Sequence, residues 1–86
     1  MNVWVVTINE VVDYQTNFYS PKVFSTYEKA KAYFDAEVAE MKKELPRTWE
    51  SEEGKDTFEM WESGYYFENH SIISIVSAVV DERVAD

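Results

Sequence analysis

The sequence predicts an α+β fold: an antiparallel sheet of four to five strands, in β-β-α-β-β-β order, with one amphipathic helix packed on one face. Three observations predict it. Apolar residues recur at steps of three and four from Tyr27 to Leu45, the period of a helix. Two runs rich in β-branched residues, Val3 to Val12 and Ser71 to Asp81, stand near the two ends of the chain without Gly or Pro. Between them, shorter apolar runs are separated by polar, turn-forming residues.

Val3 to Val12 reads as the first strand, with Val3, Val5 and Thr7 on one face and Trp4, Val6 and Ile8 on the other. Asp13 to Asn17 is a polar break suited to a hairpin, and Phe18 to Phe24 is the returning strand. Pro21 interrupts that strand, and a proline cannot donate to a ladder, so the strand belongs at an edge or carries a bulge. Ser25 and Glu28 fit a capping box that opens the helix. Tyr27, Ala30, Phe34, Val38, Met41 and Leu45 form its apolar stripe, widened by Tyr33, while Lys29, Asp35, Glu40 and Lys43 face water. Pro46 ends it by forcing Leu45 out of the α region.

Arg47 to Asp56 reads as a polar loop with an exposed tryptophan, Trp49. Thr57 to Trp61 is a strand, Glu62-Ser63-Gly64 a turn, and Tyr65 to Glu68 its short partner strand. Asn69-His70 is a bulge or tight connection before the last long strand, Ser71 to Asp81, and the tail Glu82 to Asp86 frays. The first and last strands are apolar on both faces, which places them side by side in the middle of the sheet.

Eighty-six residues suit a single domain, 1–86. There is no cysteine, so no disulfide, and one histidine without thiolates does not make a structural zinc site. The short apolar run after Met1-Asn2 has no cationic segment before it and is too short for a leader or a membrane span, so a cytoplasmic protein is expected. Seventeen acidic residues against eight basic ones give a net charge of −9, which opposes direct binding to nucleic acid or to an anionic membrane.

Catalytic readings find little purchase. His70 has Glu68, Asn69 and Ser71 beside it, but neighbours on a strand alternate faces, so Ser71 cannot share a side with His70. Glu50, Glu52, Glu53 and Asp56 lack the spacing of a calcium-binding loop. No glycine-rich phosphate loop or nucleophile elbow is present, and no cofactor is expected. The charge distribution says more. Residues 50–68 hold Glu50, Glu52, Glu53, Asp56, Glu59, Glu62 and Glu68 against one base, Lys55, and so carry −6 of the net −9. Trp49, Trp61, Tyr65 and Tyr66 lie among them. Carboxylates on a rigid hairpin with aromatic anchors suit a basic protein surface. The plainer reading is a solvated face with core aromatics.

The stretch Val23-Phe24-Ser25-Thr26-Tyr27-Glu28-Lys29-Ala30, after a short hairpin, resembles a strand-to-helix pattern of small uncharacterised bacterial and phage proteins. Asn69-His70 followed by Ile72, Ile73 and Ile75 is similar to their closing strand. The resemblance spans about half the chain. It implies an α+β fold and a mobile-element origin, and carries no functional residues.

One helix covers only one face of a sheet, so the other apolar face needs the protein's own hairpin or Trp49 loop, or a second chain. The leading expectation is therefore a non-enzymatic interaction domain binding a protein with a basic surface, as a phage-type inhibitor or nucleic-acid mimic would. A homodimer pairing through the open sheet face is the alternative, and a small enzyme or ligand binder the third.

Overall fold

In the computed structural model, which describes residues 1–64 and 68–79, the elements run β1 (Asn2–Val12), β2 (Gln15–Phe18), β3 (Lys22–Phe24), α1 (Tyr27–Glu44), β4 (Trp49–Glu53), β5 (Thr57–Glu62) and β6 (Asn69–Val79). All six strands belong to one antiparallel sheet ordered β2-β1-β6-β5-β4, with β3 also on β1. The two long apolar strands are indeed neighbours. They pair from Asn2↔Val79 to Val12↔Asn69.

The returning strand is split in two by its proline. Gln15–Phe18 pairs with the second half of β1 and Lys22–Phe24 with the first, and Tyr19 to Pro21 bridge them. The hairpin turn is tighter than its polar composition suggested. Asp13 and Tyr14 both have positive φ, 50° and 66°, the pattern of a type I′ turn, whose twist matches that of the strands. A tyrosine rarely tolerates this conformation. Here the tertiary contacts hold it: the Tyr14 hydroxyl donates to Glu68 Oε1 at 2.6 Å, and the Asp13 amide donates to Asn69 Oδ1 at 3.3 Å.

The helix begins one residue later than the capping box implied. Thr26, not Ser25, is the N-cap, and its hydroxyl accepts from the Lys29 amide at 3.2 Å. The stop matches expectation: Leu45 is extended, ψ 114°, ahead of Pro46. Ala30, Phe34 and Val38 are buried along the stripe and pack on Val6, Phe58, Ile73 and Ile75. Full burial of each valine, isoleucine or phenylalanine among them contributes about 1.5–3 kcal/mol. Trp4, Ile8, Phe24, Tyr27, Tyr33, Met41 and Met60 close the margins of this core.

Residues 49–53 form an edge strand, β4, rather than part of a polar loop. Alternation of Glu and Ser hid it, because an edge strand needs no apolar partner on its outer side and charge there discourages unwanted pairing. β4 joins β5 through Gly54, whose amide donates to the Thr57 carbonyl at 2.8 Å. A Cβ at Gly54 would sit 2.7 Å from Thr57 Oγ1, so the approach favours glycine. β5 is flanked by β4 and β6, so it lies in the sheet and does not fold across it. Asn69-His70 is already strand. The partner strand expected at Tyr65 to Glu68 falls largely outside the described residues, as do the end of the last strand and the tail.

Candidate protein-interaction face

Strand pairing sorts every side chain onto one of two faces. Trp4, Val6 and Ile8 of β1, Ile73 and Ile75 of β6, and Phe58 and Met60 of β5 face α1. The opposite face carries Val3, Val5, Asn9 and Val11, then His70, Ile72, Ser74 and Val76, then Thr57, Glu59 and Trp61, and finally Glu50 and Glu52. Among the described residues no other helix or strand lies over it, since all six strands are used in the one sheet.

Two rows cross that face at right angles to the strands. Glu50, Trp61, His70 and Val11 stand opposite one another in turn, and beside them Glu52, Glu59, Ile72 and Asn9. Two side chains spaced by one residue on a strand are about 7 Å apart. Trp61 Nε1 donates to Glu50 Oε2 at 3.1 Å, and His70 Nε2 lies 3.0 Å from Glu59 Oε2. Glu52 and Glu59 are directly opposed, a like-charge pairing that weakens a hairpin. The middle of the face is neutral, with Thr7 Oγ1 and Ser74 Oγ hydrogen-bonded at 3.1 Å. The far corner is apolar: Val5 stands between Val76 and Val23, which are 49% and 61% exposed. The face is not evenly open, for Val3 is buried and Val5 and Ile72 are half-buried.

Among the described strand residues of this face there is no lysine or arginine. The lysines gather on the helix side. Lys42 bridges from α1 to Glu53 at 2.7 Å, Lys31 pairs with Asp35 at 3.6 Å and Lys43 with Glu40 at 3.4 Å.

The acidic stretch is therefore divided by the pleat. Glu50, Glu52, Glu59 and Trp61 come together on the helix-free face. Glu53, Asp56 and Glu62 go to the other side, where they accept from Lys42, from the Tyr27 hydroxyl at 2.6 Å and from Asn69 Nδ2 at 2.6 Å. Trp49 pairs with Glu62 on that side and is half-buried. Glu68 supports the β1–β2 turn, and Tyr65 and Tyr66 lie outside the described residues. His70, Ile72 and Val11 complete the rows and were missing from the sequence-derived set. Their signal was the parity of the two long strands, which becomes readable once those strands are paired.

The carboxylate beside His70 comes from β5 and not from Glu68. Ser71 is buried on the helix side, facing away from His70. Among the described residues no three His, Asp or Glu side chains converge as metal ligands, and no helix is long and apolar enough to cross a membrane. Elsewhere, the Tyr27 hydroxyl is pushed up to about 12 by its hydrogen bond to Asp56, with burial and the Asp56 charge adding to it. No protein-family model matches the chain, and neither a characterised protein nor a solved structure matches it.

Proposed function

We propose that this chain is a protein-interaction domain whose helix-free sheet face docks a partner that is basic at one end of the contact and apolar at the other. The observation that carries the reading is the segregation of charge: Glu50, Glu52 and Glu59 stand on a face without lysine or arginine among its described strand residues, while on the opposite side Glu53 meets Lys42 and Asp56 meets the Tyr27 hydroxyl. Carboxylates held on a sheet at a fixed repeat offer a preformed negative pattern, and Trp61 beside them supplies a rigid aromatic contact. A groove built for a phosphate backbone is the kind of basic surface that suits such a pattern, which favours a partner that handles nucleic acid.

The test is capture of partners on the immobilised chain, in parallel with the Glu50→Gln/Glu52→Gln/Glu59→Gln variant. Retention that falls with the variant and with salt raised to about 0.5 M, where the Debye length is only ~4 Å, supports the reading. Retention indifferent to both contradicts it. A homodimer is the second reading, favoured by the exposed Val23 and Val76. It requires a concentration-dependent dimer in sedimentation that Val76→Glu dissociates.

A further inference from the structure

The helix side of the sheet has a feature of its own. Where the second half of β1 runs beyond the core, α1 and the segment after β2 leave a groove of about 430 Å³. That volume lies in the range of small-molecule sites, roughly 300–1,000 Å³. Ile8, Met41 and Met60 supply its apolar surface. Methionine thioethers are soft and adaptable, so they accommodate varied apolar bodies.

Two phenol rings stand in the lining, Tyr19 from the segment between β2 and β3 and Tyr33 from the helix. Tyr33 is fixed in place by Phe24, ring centroids 5.5 Å apart. Its hydroxyl is pushed above the ordinary phenol range by burial and by Glu37. Three carboxylates complete the lining, Glu10, Glu37 and Glu44, against the single base Lys22 among the described lining residues. The Tyr19 hydroxyl donates to Glu10 Oε1 at 3.2 Å, which ties one wall of the groove to β1.

An apolar floor, two aromatic rings and an excess of carboxylate together select one class of ligand. An anion is repelled by three glutamates. A neutral apolar molecule uses the floor but not the rings' quadrupoles or the carboxylates. A cation with an apolar body uses all of them, because an ammonium is attracted both to an aromatic face and to a carboxylate. We infer that this groove binds a small organic ammonium ion, its hydrocarbon part on Ile8, Met41 and Met60 and its charge between the tyrosines and Glu37 and Glu44. The site is separate from the helix-free face and does not depend on the function proposed for it.

The experiment is an NMR titration of the full chain, following the methionine and isoleucine methyls, with phenethylammonium, its neutral isostere phenethyl alcohol and the anion phenylacetate. The inference expects saturable shifts at Met41, Met60 and Ile8 with the ammonium, several-fold weaker binding of the alcohol and none of phenylacetate. Glu37→Gln and Glu44→Gln lie in the groove lining outside the buried stripe of Ala30, Phe34 and Val38, and each is expected to preserve the fold. Each is expected to weaken the ammonium by about two- to fivefold, the scale of a partly exposed charge pair. Glu50→Gln/Glu52→Gln/Glu59→Gln leaves the titration unchanged. Equal binding of alcohol and ammonium, absence of saturable shifts at these methyls, or indifference to both helix substitutions overturns the inference.

Discussion

The two faces of this sheet are built from the same strands and end up chemically opposite. On the helix side, Val6, Phe58, Ile73 and Ile75 are sealed by Ala30, Phe34 and Val38, and Glu53, Asp56 and Glu62 meet Lys42, Tyr27 and Asn69. On the helix-free side, Val23 and Val76 remain exposed, and Glu52 stands directly opposite Glu59. The difference teaches that folding seals the apolar residues of one side and leaves an exposed valine pair and an opposed glutamate pair on the other. An exposed valine corner and an opposed glutamate pair do nothing for the stability of the isolated chain. Such local conflicts are where a binding role is most economically sought.

Truncations in the core should separate the faces most strongly. Phe34→Ala and Phe58→Ala are each expected to destabilise by about 3–5 kcal/mol in denaturant unfolding, since both rings are fully buried. A matched pair of smaller deletions makes the contrast sharper. Val6→Ala should cost about 2 kcal/mol, whereas Val76→Ala, half exposed on the other face, should stay within about 0.5 kcal/mol. Equal losses for these two would break the comparison and show that the helix-free face is closed by the chain itself.

Thr26→Ala removes the side-chain acceptor for the Lys29 amide and should cost about 1 kcal/mol, while Ser25→Ala changes little. Reversed magnitudes would restore Ser25 as the cap. The smallest effect concerns alkaline pH. The Tyr27 pKa in the folded chain, about 12, exceeds its ordinary value of 10.0. The stabilisation it contributes is therefore complete below pH 10 and is lost as the pH rises toward 12. Unfolding midpoints measured across that interval should fall less steeply in Tyr27→Phe, although Tyr33, raised in the same direction by burial, keeps some of the slope.

Fold class, the helix stripe and the pairing of the two long strands could all be read from the sequence, because each rests on a periodicity that burial enforces. The parts that were misread lack that enforcement. β4 is an acidic edge strand whose outward side chains need no apolar partner. The Thr26 cap differs from Ser25 by one residue between two hydroxyl side chains, either of which can accept the amide. The hairpin turn holds Tyr14 in a conformation that local preferences disfavour, and distant contacts from Glu68 and Asn69 sustain the turn. The acidic segment was visible as a run of charge, but its division between the faces was not. That division depends on the register of β4, and a polar strand announces no register of its own.

Among the described residues, α1 closes one sheet face, and Val23 and Val76 stand exposed on the other. Solvent paramagnetic relaxation by a neutral gadolinium chelate measures this directly, on the methyls of a sample that sedimentation shows to be monomeric. Strong broadening of Val23 and Val76, with Val6, Ile73 and Ile75 protected, is the predicted result. Val23 and Val76 protected as fully as the core methyls would contradict it.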